Sequence, residues 1–369
     1  MKVSYLSGSK LPSRTADTVH VIRMCNAISN LGHEVQLCIQ ATDDQPEEAL
    51  SNYSGNHLFQ LASVRNTRLE TGRQFYYAHA ASKLIEKFQP DVVICRHLLG
   101  GCFIARKFPT IYEIHAMYGT VGSMLQRNML GAKYLRGVIS ISSSLKNDFV
   151  EKHRNSKIDR DRIQVEPDAA DPVAADTVPV DLGPGNLHVG YCGQLYRGRG
   201  IETIVELSKS LPNVTFHVVG GEPADVVSFK RSVGNLSNLK FHGHVPHHRV
   251  PSYLKAFDVV LAPYERHVET ASGMNTIRWC SPMKLFETLA AGRPLVISDL
   301  PVFHEILKHN HNALFVSSDS LEQWIEAITR LEDSTLRREL GRVAQATHEK
   351  RFTWSARAER ILRFHTALT

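Results

Sequence analysis

The sequence predicts an α/β protein of two doubly wound parallel-sheet domains facing a cleft, and three observations predict it. Short apolar runs rich in Val, Ile and Tyr alternate with amphipathic stretches from end to end. The runs are near-continuously apolar, as strands covered on both faces are. The alternation lapses once, over residues 171–186 ("DPVAADTVPVDLGPGN"), and then restarts. A chain of 369 residues also exceeds a single core of ordinary size.

Taken in order, "KVSYLS" reads as the first strand, and the loop "SGSKLPSRTA" leads into a helix, "TADTVHVIRMCNAISNLG", that stops at Gly32. The strand "HEVQLCIQ" follows, then the helix "YYAHAASKLIEKFQP", stopped by Pro90. Three more strands, "DVVICRH", "TIYEIHA" and "GVISIS", complete the first half. Residues 171–186, rich in Pro, Asp and Ala, read as a linker between a domain over 1–170 and one over 187–351. In the second half "LHVGYCG", "VTFHVVGG", "NLKFHGHV", "DVVLAPY" and "RPLVISD" read as strands. The end, over 352–369, contains a helix, "TWSARAERILRFHTAL", with no strand to follow, expected to pack back on the first domain.

A hydrophobic content of 43% with 22% charged residues is that of a soluble globular protein. No apolar run approaches the ~18 to 20 residues that span a bilayer. The N-terminus breaks too early for a signal peptide. Six scattered cysteines without a C-x-x-C pair read as reduced thiols in a cytoplasmic protein. The net charge of +6 is compatible with an anionic ligand or an acidic membrane surface and too diffuse to imply nucleic acid.

Chemistry is concentrated in two stretches of the second half. In "CSPMKLFETLAAGRPLVISD", Ser281 suits an N-cap, Pro282 the first helical position, and Gly292 the end of a helix. Lys284 then stands near the third helical position, where the helix dipole disfavours a cation. It makes sense there if an anion sits on the helix start, with Glu287 one turn deeper against a diol such as ribose hydroxyls. The alternative is a surface Lys–Glu pair on an ordinary amphipathic helix. In "HVGYCGQLYRGRGIETIVEL", a strand meets a glycine-rich loop with Arg197 and Arg199 and then a second helix. Gly193, Gly198 and Gly200 permit close backbone approach, so the loop looks like the other half of a diphosphate clamp.

Here the chain resembles glycosyltransferase family 4, the retaining enzymes of GT-B fold with two Rossmann-like domains. "SPMKLFETLAAGRPLVISDLPVFHEIL" is similar to that family's donor-binding signature, and "GYCGQLYRGRGIETI" to the segment that opens its donor domain. "NLKFHGHVPHHRVPSYLKAFDVVLAPY", "SRTADTVHVIRMCNAISNLGHEV" and "GVISISSSLKNDF" match its rhythm, so the resemblance spans nearly the whole chain. It implies a nucleotide-sugar donor domain over 187–351 and an acceptor domain over 1–170, whose closure aligns the substrates and excludes water. It further implies that Glu287 binds ribose, that Arg199 and Lys284 bind the diphosphate, and that His115 touches the transferring sugar. Gly193, Arg197, Ser281, Pro282, Met283 and Leu285 fall in the matching donor segments. Two positions depart from the pattern: Trp279 stands where the first glutamate of an E-x7-E pair is usual, and Gln194 where a basic residue is common. The first departure bears on the sugar and its geometry.

In the first domain His115 ends the strand "TIYEIHA", where a ligand is expected. The alternative is a core histidine bonded to a backbone carbonyl. Arg96 and His97 end the preceding strand, and Ser13, Arg14 and Thr15 lie in the loop after the first strand. Trp279 belongs to a 17-residue loop, 265–281, long enough to cover the donor sugar. His242, His244, His247 and His248 fit no standard zinc spacing. Asp159 and Asp161 form a D-x-D within a polar run and read as a solvated turn. No metal and no cofactor is expected, the nucleotide-sugar being a substrate. The resulting expectation is a retaining, metal-independent glycosyltransferase acting on a glycan or lipid-linked acceptor, cytoplasmic, with peripheral contact at the inner membrane face. A nucleotide-sugar epimerase of the same fold, which would need no acceptor, and a non-catalytic nucleotide-sugar binding protein, which would show no turnover, remain as alternatives.

Overall fold

In the computed structural model, β-branched runs bounded by turns form thirteen strands among the described residues, and the pairings between them are parallel. The structure describes every residue except 14, 43–44, 52, 54–56, 66–71, 157, 235, 269–274 and 369, and the side chains of 51 and 232. The chain divides into two compact units, Met1–Asp168 with Trp354–Thr369, and Ala169–Thr353.

Unit 1 holds β1 (Lys2–Leu11), β2 (Glu34–Ala41), β3 (Gln60–Arg65), β4 (Val92–Cys95), β5 (Thr110–Ile114), β6 (Leu135–Ser140) and β7 (Ile163–Val165). Its sheet order is β3-β2-β1-β4-β5-β6-β7. The helices between them are α1 (Ala16–Asn30), α2 (Pro46–Ser51), α3 (Arg73–Phe88), α4 (Leu98–Ile104), α5 (Thr120–Leu130) and α6 (Ser143–Lys152). Because the order reverses between β1 and β4, the carboxyl ends of those strands flank the switch point where such sheets bind ligands.

Unit 2 repeats the design with β8 (His188–Cys192), β9 (Thr215–Val219), β10 (Leu239–Gly243), β11 (Val259–Ala262), β12 (Leu295–Ser298) and β13 (Leu314–Val316). The helices are α7 (Ile201–Ser210), α8 (Pro223–Val233), α9 (Val250–Ala256), α10 (Met283–Ala290), α11 (Leu321–Arg330) and α12 (Ser334–Arg351). The order β10-β9-β8-β11-β12-β13 puts the switch point between β8 and β11.

The last helix, α13 (Trp354–Ala367), belongs to unit 1. It buries one stripe, Trp354, Arg357, Ala358, Ile361, Leu362 and His365. Gly137 in β6 admits it closely, since a Cβ there would meet Phe364 at 2.7 Å.

Three strands are absent from the sequence reading. β7 and β13 are three residues each, too short for a period to show, and β3 is an edge strand with alternating exposure. Residues 171–186, expected as a linker, pack on unit 2 instead. Val180 N donates to Ser252 O at 3.2 Å, Lys240 Nζ to Leu182 O at 3.0 Å, and Leu182 is buried. Isolated Val and Leu anchors suffice for an extended strap, so a missing period is a poor sign of a free linker. Among the described residues no helix is long and apolar enough to cross a membrane.

Candidate active site

The switch point of unit 2 carries both donor-type stretches. β8 ends at Cys192, and the chain turns through Gly193 (φ +153°), Gly198 (φ +84°) and Gly200 (φ +77°), the last being the N-cap of α7. At Gly198 and Gly200, where a Cβ would run into backbone, substitution is excluded by space as well as dihedral. A Cβ at Gly193 would lie 2.6 Å from Lys284 Nζ, and one at Gly198 would collide with the carbonyl of His267. Arg197 points outward, exposed, whereas Arg199 is half-buried and donates from Nη1 to Tyr264 Oη at 3.2 Å.

α10 begins later than the sequence reading placed it. Pro282 is extended (φ −77°, ψ 125°) and is itself the N-cap, with no side-chain cap hydrogen bond, so Ser281 is not the cap. Met283 is the first helical residue and Lys284 the second. Ser281 and Leu285 are buried. Gly292 (φ +62°) ends the helix, its N–H bonded to Leu289 O at 3.0 Å.

Lys284 turns its Nζ under the glycine loop. The ammonium lies 4.0 Å from the Tyr191 ring centroid and 5.1 Å from that of Tyr264, and finds no hydrogen-bond partner among the described residues. Burial, and after it the positive charge of Arg199, pushes its pKa well below the usual value. Two ring faces stabilise a cation only partly, so this arrangement asks for an anion. Glu287 is one turn further along, its Oε1 2.7 Å from His247 Nε2. Trp279 is half-buried in a 3₁₀ turn, Ile277–Trp279, whose start is tied by Asn275 Oδ1 accepting from Val268 N and Ile277 N at 3.1 and 3.3 Å.

In unit 1, His115 directly follows β5 and is partly exposed. Its Nε2 lies 2.8 Å from Glu113 Oε1, so neither a backbone-bonded core histidine nor a free one is present. Burial, then the neighbouring Arg96 charge, holds it neutral, its pKa lowered to about 4. Glu113 is fully buried and also receives Tyr5 Oη and Arg357 Nη2, both at 2.8 Å. His20 Nε2 is 3.2 Å from Glu113 Oε1, and His20 Nδ1 is 2.9 Å from Asp168 Oδ1. His20, Glu113 and His115 are the one group with metal-ligand spacing among the described residues, but Arg357 already brings a positive charge onto that carboxylate.

The other unit 1 candidates separate. Arg96 is half-buried, close enough to Glu113, Asp168 and Asp17 to feel their charge. His97 caps α4: its Nδ1 accepts from Gly100 N at 3.1 Å and its Nε2 meets Gln74 Oε1 at 3.0 Å, so both nitrogens are used structurally. Ser13 and Thr15 bond each other at 2.7 Å in the turn before α1, and Arg14 lies outside the described residues. Asp159 and Asp161 are exposed around a 3₁₀ turn. The four histidines of "FHGHVPHHRV" do not gather: His242 Nε2 meets His217 Nδ1 at 3.0 Å, in a row continued by His188, while His247 turns to Glu287.

Sequence reasoning missed Tyr5, His20, Asp168, Tyr191, Tyr264 and Arg357, and weighed His247 only against a zinc spacing. Arg357 had a visible signal, a cation in the apolar stripe of the last helix. Tyr191 and Tyr264 sat unremarked at the carboxyl ends of two quoted strands.

Comparison with known proteins places these features. Residues 18–172 match the model "Glycosyltransferase Family 4", and residues 198–363 match "Glycosyl transferase-like". TuaH of Bacillus subtilis, described as a teichuronic acid biosynthesis glycosyltransferase, is 32% identical over 114 residues, 31% of this chain and 27% of that protein. The O-antigen chain mannosyltransferase RfbU of Salmonella typhimurium is 41% identical over 46 residues, 12% of each chain. The chain thus spans about a quarter and an eighth of the length of these curated relatives. The crystal structure of Anabaena Alr3699/HepE in complex with UDP and glucose superposes with a TM-score of 0.74 at 17% identity, covering 100% of both chains, and shares the fold. With both halves matched by glycosyltransferase models and the two-sheet fold shared throughout, the chain belongs to the family 4 type of GT-B glycosyltransferases.

Proposed function

We propose that the protein is a retaining, metal-independent glycosyltransferase that moves a sugar from a nucleotide-sugar to a hydroxyl acceptor in polysaccharide or glycan biosynthesis. The observation that carries this reading is the Lys284 ammonium, buried beside Arg199 with no hydrogen-bond partner among the described residues. Such a cation is costly unless an anion completes it, and a diphosphate does so. Arg199, Lys284 and the backbone of Gly193 surround the diphosphate, with Arg197 at its outer edge. Pro282, Met283 and Leu285 shape the helix start with Ser281, and Glu287 takes the ribose diol. The nucleotide-sugar is a substrate, and no cofactor is needed.

In the proposed step the bond from the anomeric carbon to the diphosphate oxygen breaks. A bond from that carbon to the acceptor oxygen forms on the same face, and the acceptor's proton passes to the departing diphosphate. Lys284 and Arg199 stabilise the charge growing on the leaving group, which is the work a metal does elsewhere. His115 is assigned to the transferring sugar. Arg96, Ser13, Arg14 and Thr15 are assigned to the acceptor side, and Trp279 to the sugar's cover.

The Anabaena protein was crystallised with UDP and glucose, which makes UDP the first nucleotide to try. Unit 1 carries 24 Lys and Arg against 17 Asp and Glu, and unit 2 carries 19 against 20. The surplus charge of unit 1 suits a lipid-linked acceptor and peripheral contact with an anionic inner membrane face in the cytoplasm. Thermal shift against UDP, GDP, ADP and their sugars tests the reading. A ligand at 100 times its Kd adds about 2.7 kcal/mol, a rise of several degrees. No rise with any nucleoside diphosphate would overturn it.

A further inference from the structure

What His115 offers a ligand is decided behind it. Its Nε2 faces Glu113 Oε1 at 2.8 Å, and an ionised carboxylate only accepts, so the proton of that bond belongs to Nε2. Glu113 is ionised by its surroundings. Burial raises its pKa, but Arg357, His20 and His115 outweigh burial and hold it well below the usual value. Tyr5 Oη donates to its Oε2 and Arg357 Nη2 to its Oε1, each at 2.8 Å, so the carboxylate is held from both sides. Arg357 is itself anchored, Nε donating to Pro167 O at 2.8 Å. A neutral imidazole with its proton on Nε2 keeps a lone pair on Nδ1, and none of the described residues engages that atom.

His20 closes the arrangement. Its ring stands edge-on to His115, centroids 5.4 Å apart, and to Trp354 of α13 at 4.9 Å. It reaches Glu113 with one nitrogen and Asp168 with the other. The titratable or charged groups around His115 come from α1 (His20), the end of β4 (Arg96), β5 (Glu113), the chain at Asp168, and α13 (Arg357).

We infer that Glu113 is a positioning residue for His115, backed by His20 and Arg357, and that it fixes the Nε2–H tautomer so that His115 presents Nδ1 as an acceptor. The partner of that atom is a sugar hydroxyl, which can donate, and not a phosphate or carboxylate oxygen, which cannot. The inference rests on the glycosyltransferase reading for the identity of the partner, but its core concerns a tautomer that can be measured without substrate.

The test is long-range ¹H–¹⁵N NMR on the full chain labelled at histidine nitrogens, with the His115 signals identified by their loss in His115→Gln. An Nε2–H tautomer unchanged from pH 8 to about pH 5 is expected. An Nδ1–H tautomer, or a doubly protonated ring at pH 7, overturns the inference whatever the activity. Glu113→Ala removes the oxygen that His115 Nε2 faces and should leave a mixture of Nε2–H and Nδ1–H tautomers. Turnover should fall on the order of 10²-fold with the nucleotide-sugar KM within about threefold. Because that change removes the charge facing Arg357, Glu113→Asp serves as a second variant. It keeps the charge and withdraws the oxygen from His115, so a mixture of tautomers is expected in a folded protein. Unchanged tautomer and turnover in either folded variant would sink the proposal. Should the parent protein show the Nε2–H form and yet transfer no sugar from any donor, the tautomer assignment stands and the glycosyltransferase reading falls.

Discussion

Lys284 is the residue whose chemistry the fold alone leaves incomplete. Its ammonium rests on Tyr191 and Tyr264, and among the described residues nothing accepts its protons. Lys284→Met keeps length and ring contact while removing the charge, so the ligand-free protein should melt a few degrees higher, by about 1 to 2 kcal/mol. Nucleoside diphosphate affinity should fall about 10- to 100-fold as a charge-assisted contact of roughly 1.5 to 3 kcal/mol is lost. Calorimetry and melting without ligand measure the pair, and normal binding by the variant would make the lysine structural. Because burial and Arg199 lower the lysine's pKa, diphosphate binding should also weaken as pH is raised toward 10.5, when the ammonium loses its proton. His115→Ala, in unit 1, should cut turnover on the order of 10²-fold and leave nucleoside diphosphate affinity unchanged. A collapse of that affinity in a folded variant would remove His115 from the sugar. At this scale the sequence shows Lys284 and Glu287 clearly, because a cation at a helix start is a local anomaly. The partners that give them meaning, Tyr191 and His247, come from β8 and from the segment before α9, which no local pattern connects.

α10 and α13 show how an element's ends and stripes carry information. α10 was legible to within two residues, the error arising because an extended Pro282 takes the cap position that Ser281 would fill in a commoner arrangement. α13 was legible as a helix, yet its role lies in one member of its buried stripe. Arg357 is fully buried and bonded to Glu113, Pro167 O and Glu166 O. Removing one partner of a buried pair leaves the other uncompensated, so Arg357→Met should cost about 3 to 5 kcal/mol. On the same helix, Arg363 pairs with Glu359 where both are exposed, and Arg363→Ala should change stability by about 0.5 kcal/mol or less. Urea midpoints followed by tryptophan fluorescence compare the two, Trp354 lying next to His20 in the affected unit. Equal effects would mean that Arg357 is not what ties α13 to β5.

For the whole molecule, two parallel sheets were legible from alternation alone, because strands buried on both faces write long apolar runs. The strap over 171–186 was not, since its anchors are single residues without a period. If both units bind substrates through side-chain cations and backbone N–H groups, chelation with EDTA should leave turnover intact. Loss of activity restored by Mg²⁺ or Mn²⁺ would make Asp159 and Asp161 a metal-binding pair and not the solvated turn read from the sequence. Stability against pH tests the burial pattern as a whole. Burial lowers His97, His115 and His153 to about 4 and His217 to about 3, from 6.5. Between pH 6.5 and 4 the unfolded chain therefore binds protons that the native chain refuses, and stability must fall as pH falls. A fully buried histidine shifted from 6.5 to about 4 contributes up to about 3 kcal/mol across that window. On the alkaline side burial pushes the thiols of Cys38, Cys95 and Cys192 up to about 12 from 9.0, so the unfolded chain releases protons first and stability falls again above pH 9. The melting temperature should accordingly be highest between about pH 7 and 9 and drop by several degrees from pH 7 to 5. His217→Leu should flatten the acid limb, since it removes the histidine with the lowest pKa in unit 2. A melting temperature constant from pH 7 to 5 would mean that these imidazoles are solvated in the native protein, and His217 would lose its buried place between His188 and His242.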